Sequence, residues 1–170
     1  MKTITQVRLL SAIALVTFTL ARGAFAQEMG IMVGSAGPAA AVESLDGAAM
    51  DLGGMYGERP VVLEFWATWC PLCKKLEPAM KAAQAKYASE VRFVSVGVPA
   101  NQSAAKQKAY VEKQQLGGTF VFDKNGAAMK AYAVPHTSYV VVVDKAGKVV
   151  YTGVGAEQDI DAAVQKAMRR

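Results

Sequence analysis

Val61 to Trp66 is an apolar, β-branched run broken only by Glu64, and four residues after it the chain reads Cys70-Pro71-Leu72-Cys73. Such a run predicts a strand buried on both faces. Beyond it, from Cys70 to about Ala88, Leu76, Met80, Ala83 and Tyr87 recur at the spacing of one helical face. Pro78, inside that stretch, is expected to kink it. Strand, turn and helix thus put the chain's only two cysteines on one face of a helix's first turn, close enough for a disulfide in a small ring. Cys70 also stands where unpaired N–H groups and the helix dipole favour a thiolate, the form that reacts in disulfide exchange.

Other uses of two thiols fit less well. A four-thiolate zinc site needs a second cysteine pair, and a site made from both cysteines and His136, the single histidine, still lacks a ligand. A structural staple stabilises more when it closes a long loop, whereas this ring is nearly the shortest possible. No metal or organic cofactor is expected for thiol exchange. The methionines at 29, 32, 50 and 55 invite soft-metal binding, but they lack regular spacing.

The first 26 residues read as a secretory signal: Lys2 and Arg8, an apolar segment from Leu9 to Ala21, then Ala24-Phe25-Ala26 as the cleavage pattern. An uncleaved anchor is the lesser alternative, since thirteen apolar residues are short for a bilayer. Cleavage leaves 144 of the 170 residues, enough for one domain. It also removes Lys2, Arg8 and Arg22 from a chain of net charge +5, leaving +2. That balance gives no reason to expect a nucleic-acid partner. In an oxidising compartment such as the periplasm an isolated dithiol becomes a disulfide, so a reductase there needs electrons from a partner.

Residues 27–40, rich in Gly, Ala and Met, read as a flexible lead-in, and 41–170 as the domain. Ala41 to Leu45 and Ala48 to Leu52 flank Asp46-Gly47 as a small hairpin. After the first strand and helix come a strand over Val91 to Val98, a polar helix over Gln102 to Gln115 and a strand over Thr119 to Phe122. A short helix over Ala127 to Tyr132 precedes a hairpin formed by Ser138 to Val143 and Val149 to Gly153, and a helix from Asp159 to Arg170 ends the chain. The alternation predicts an α/β fold with a central mixed sheet and helices on both faces.

Three residues acquire meaning if the fold brings them near Cys70. Glu64 lies in the most apolar strand, where desolvation raises a carboxyl pKa toward the range useful for proton transfer; a site at the strand edge, in water, is its bland alternative. Pro135 cannot donate to a sheet ladder and marks a strand start or turn, with a cis bond as one option. His136 is either a charge partner or metal ligand for a thiol, or an exposed loop residue.

Phe65 to Cys73, followed by Pro78 and a downstream Val134-Pro135 before a strand, resembles the thioredoxin superfamily, and the whole pattern resembles its exported TlpA/ResA/DsbE-like branch. The resemblance covers about Val42 to Ala167 and implies a thioredoxin-like fold with an N-terminal hairpin and an inserted helix-strand segment at about Gln102 to Phe122. It implies Cys70 as nucleophile, Cys73 as resolving cysteine, Glu64 as the buried acid and Pro135 as a cis-proline. Trp69, Pro71, Val134 and His136 would flank the bound substrate. The implied activity is thiol:disulfide exchange, as a reductase of cysteine pairs in exported proteins, including those of cytochrome c or copper-centre maturation. The implied partners are those proteins and a membrane thiol electron donor, the protein itself acting as a monomer. An oxidase or isomerase is the alternative within this chemistry, and a Cu(I) chaperone using both thiolates and His136 the alternative outside it. Leu76 stands where some relatives that reduce apocytochromes carry an acid, with Glu77 one position on, and His136 follows the proline where a small residue or Thr is common.

Overall fold

A computed structural model describes residues 30–170. The signal segment and Met29 lie outside the described residues. Seven strands form one sheet in the order β2-β1-β5-β4-β3-β6-β7: β1 (Ala41–Ser44), β2 (Ala49–Asp51), β3 (Val61–Trp66), β4 (Arg92–Gly97), β5 (Thr119–Phe122), β6 (Tyr139–Val143) and β7 (Val149–Val154). Pairs β3/β4 and β4/β5 are parallel and the other pairs antiparallel, the mixed sheet that the sequence predicts. The helices are α1 (Pro71–Tyr87), α2 (Ala104–Gln114), α3 (Ala127–Ala131) and α4 (Ile160–Met168).

β3 is hydrogen-bonded between β4 and β6, and all six of its residues are buried. Its alternate side chains enter two cores. Val61, Leu63 and Phe65 pack with Val94, Val96, Tyr139 and Val141 and with Ala128 and Tyr132 from the α3 region. Val62 packs on the other face with Leu76, Met80 and Ala83 of α1 and Ile160 and Val164 of α4. Each fully buried aliphatic side chain of this kind contributes roughly 1.5–3 kcal/mol by leaving water. α1 runs as one helix through Pro78, its first turn set by Pro71 at N1.

The β6–β7 turn forms where the sequence places it. The buried Asp144 carboxylate accepts from the N–H groups of Ala146 and Lys148, both at 2.9 Å, and Gly147 takes φ 79°, the left-handed conformation natural to glycine. Strand β6 begins at Tyr139 rather than Ser138, because Ser138 adopts φ 66° and breaks the extended backbone.

The lead-in differs from its sequence reading over residues 30–40, which are held against the domain. Gly34 N–H donates to Val149 O at 2.7 Å, Gly37 N–H to Gly147 O at 2.8 Å, and Ile31 N–H to the Tyr139 hydroxyl at 2.9 Å. Tyr132 donates its hydroxyl to Pro38 O at 2.9 Å and also meets the hydroxyl of Tyr56. These bonds use backbone groups and distant tyrosines, so small residues without hydrophobic period are no obstacle to them.

Candidate active site

β3 delivers the chain to the reactive pair through a clamped turn. Thr68 donates both its N–H and its hydroxyl to Gln102 Oε1, at 3.0 and 3.1 Å, while Gln102 Nε2 donates to Val98 O at 2.6 Å. Trp69 Nε1 donates to Ala100 O at 2.7 Å, and Cys70 N–H to Ala67 O at 3.1 Å. The segment after β4 therefore buttresses the segment after β3. In the sequence Gln102 marks only the start of the inserted segment, because a glutamine in a polar stretch carries no signal for this clamp.

Cys70 is the N-cap of α1, and its sulfur accepts the N–H of Cys73 at 3.0 Å. The two cysteines are joined in a disulfide, with Cα atoms 5.3 Å apart. Both are almost completely buried, whereas Trp69 and Leu72 beside them are among the few large apolar residues exposed to solvent. Pro71 is exposed at the first helical position.

Glu64 is buried in the middle of the sheet and faces α1. It lines a cleft of about 50 Å³ together with Cys73, Glu77, Lys81, Ser95 and Tyr110. Burial pushes the Glu64 carboxyl up to about 8, and the negative charge of Glu77 adds to the rise. The cleft exceeds the roughly 15 Å³ that a water molecule requires, so a hydrated connection between Glu64 and Cys73 fits within it. The strand-edge alternative for Glu64 does not hold, because β4 and β6 occupy both edges of β3.

Val134, Pro135 and His136 lie in the loop between α3 and β6. Ser138 N–H donates to Phe65 O at 2.9 Å, which places the loop at the same end of β3 as the cysteine turn. Val134 and Pro135 are half-buried and His136 is exposed. The cis-proline expectation is corrected: no peptide bond among the described residues is cis. The chain reverses here through left-handed backbone at Ala133 (φ 46°) and Ser138 (φ 66°), which leaves Pro135 in the intrinsically favoured trans form. None of the three loop residues lines the Glu64 cleft. Nor does His136 join the two cysteines in a metal-ligating group: among the described residues no cluster of three or more His, Cys, Asp and Glu side chains has that arrangement.

Comparison with known proteins places this geometry in a family. The Redoxin family model matches residues 32–167. The thiol-disulfide oxidoreductase ResA of Bacillus cereus is 32% identical over 135 residues, covering 79% of this chain and 77% of its own length. ResA of Geobacillus thermodenitrificans is 31% identical over 169 residues, covering 94% and 90%. Among solved structures, a Chlorobium tepidum protein assigned as the thiol:disulfide interchange protein DsbE is 29% identical, with a TM-score of 0.67 over 79% of this chain and 99% of its own. A secreted Mycobacterium tuberculosis disulfide oxidoreductase homologous to Escherichia coli DsbE is 26% identical, with a TM-score of 0.61 over 72% and 90%. With a buried strand feeding a dithiol at a helix N-terminus and relatives of this kind along most of its length, the chain belongs to the Redoxin family and is a thioredoxin-fold thiol-disulfide oxidoreductase of the ResA/DsbE type.

Proposed function

We propose that this oxidoreductase is exported to the periplasm, with its signal cleaved after Ala26, and works there as a monomeric reductase of cysteine pairs, of the kind needed for cytochrome c or copper-centre maturation. The observation that carries the reading is the shared cleft between Glu64 and Cys73, beside a disulfide at the N-terminus of α1. In the reduced protein, Cys70 thiolate attacks one sulfur of the substrate disulfide, and the other sulfur leaves as a thiolate that takes a proton from solvent. Cys73, losing its proton to ionised Glu64, then attacks Cys70 and expels the second substrate thiolate, which also takes a proton from solvent. Two electrons have moved: the substrate has gained two thiols, and Cys70–Cys73 is a disulfide again.

Recharging reverses the proton flow. A membrane thiol donor attacks the sulfur of Cys70, protonated Glu64 gives its proton to the departing Cys73 thiolate, and a second thiol of the donor then attacks the donor's own sulfur in the mixed disulfide and releases Cys70 as a thiolate. A carboxyl near 8 is close to an ordinary thiol, about 8.5, so transfer between them is nearly balanced in either direction. Val134, Pro135 and His136, at the same end of β3, with Trp69 and Pro71 beside the disulfide, form the surface that receives the substrate.

A Cys73→Ser variant tests the reading, because it cannot resolve the mixed disulfide formed by Cys70. Expressed with its signal, it is expected to accumulate in covalent complexes with exported cysteine-containing proteins. A Cys70–Cys73 reduction potential near the roughly −270 mV of thioredoxin supports a reductase; one near −120 mV would overturn it in favour of an oxidase.

A further inference from the structure

A second groove, of about 390 Å³, adjoins the Glu64 cleft at Lys74 and Tyr110, between the start of α1 and α2. Thr68, Trp69 and Lys74 line one wall, and Lys106, Tyr110 and Lys113 the other. The α2 residues Lys106, Ala109, Tyr110 and Lys113 follow the i, i+3, i+4, i+7 spacing of a single helical face, and that face is the one turned to the groove. Trp69 is 41% exposed, and the bond from its ring N–H to Ala100 O holds the indole in place, with apolar surface open to a partner.

The charge that lines the groove is of one sign. Lys81, Lys86, Lys108 and Lys124 each lie within 3.1 Å of a carboxylate. Lys74, Lys106 and Lys113 form no ion pair with any described residue, and no carboxylate lines the groove. Lys108, on the same helix, is drawn away to Asp46 at 2.5 Å. A surface patch with one sign of charge concentrates oppositely charged groups and speeds their association.

We propose that this groove docks an acidic stretch of the partner protein next to the cysteine being exchanged, so that Lys74, Lys106 and Lys113 select acidic partners. The inference rests on the thiol-exchange reading above and adds the chemistry of the partner to it. An extended segment with two or three carboxylates would bridge the lysine walls while an apolar side chain rests on Trp69.

The test uses three synthetic peptides with the same internal disulfide, flanked by Glu, Ser or Lys, and the reduced mature protein. At about 20 mM salt, reduction of the Glu-flanked peptide is expected to be about tenfold or more faster than that of the Lys-flanked one, narrowing to about twofold at about 500 mM. The Lys106→Gln/Lys113→Gln double variant should lose most of the preference and keep its rate on the Ser-flanked peptide. Equal low-salt rates for the Glu- and Lys-flanked peptides, or a preference that survives the double substitution, would overturn the docking assignment while leaving exchange intact. Absence of exchange with all three peptides would overturn the exchange reading, and this one with it.

Discussion

The sulfur of Cys70 accepts the backbone N–H of Cys73 at 3.0 Å, so the group that reacts also caps the helix that carries its partner. A thiolate at this position receives a charge-assisted bond and the positive end of the α1 dipole, neither of which reaches the Cys73 sulfur in the same way. At pH 7 the Cys73→Ser protein is therefore expected to react with iodoacetamide about tenfold or more faster than the Cys70→Ser protein. Comparable alkylation rates would remove the N-cap as the source of the asymmetry.

Glu64 couples the site to stability. Its carboxyl is raised to about 8 in the folded protein from 4.5, so folding is unaffected by it at low pH, where it is neutral in both states. As pH rises past 4.5 the unfolded chain ionises first, and the folded state loses stability progressively until about pH 8, where the loss levels off. Glu64→Gln removes that loss. The oxidised variant should match the parent near pH 4 and exceed it by several kcal/mol, up to about 5, at pH 8.5, as read from denaturant midpoints. Its resolution of mixed disulfides should be slower and lose any inflection near pH 8 that the parent shows.

Tyr132 tests the ordering of residues 30–40. Its hydroxyl bonds to Pro38 O and meets the hydroxyl of Tyr56, whose own ionisation burial pushes up to about 12. Tyr132→Phe keeps the ring against Phe65, 5.3 Å away between centroids, and removes only the polar tether. A loss of about 1–2 kcal/mol is expected, with faster amide exchange at Gly34 and Gly37. Unchanged exchange there would mean that the backbone bonds to Val149 and Gly147 suffice alone.

These elements also divide what was legible in the letters from what was not. The β3 run, the α1 stripe and the Asp144 turn announce themselves because each rests on local period or local turn chemistry. Glu64 was legible for the same reason, as the one charge in an apolar strand. The bonds that tie Ile31 to Tyr139 and Thr68 to Gln102 join residues 108 and 34 positions apart through groups with no periodicity, so nothing in either segment marks them. Pro135 shows the converse limit: a family pattern implied its peptide geometry, while the backbone of Ala133 and Ser138 accomplishes the turn with a trans bond.

Gln107 finds no protein partner for its buried polar group among the described residues. It is completely buried on α2, neither polar atom of its carboxamide has a protein hydrogen-bond partner among the described residues, and the indole N–H of Trp66, paired with Gly97 across β3 and β4, has none either. The carboxamide lies so close over Gly97 that a Cβ there would collide with it, so the glycine leaves the room that the Gln107 side chain fills. An unpaired buried amide costs about 1–3 kcal/mol, whereas an apolar side chain of similar length carries no such penalty. Gln107→Met is therefore expected to raise stability by about 1 kcal/mol or more, read as a higher urea midpoint at unchanged slope. Gly97→Ala should lower it by about 1–3 kcal/mol, because the buried Gln107 carboxamide must be displaced. A Gln107→Met protein less stable than its parent would show that the carboxamide is hydrogen-bonded in solution, with ordered water as its partner.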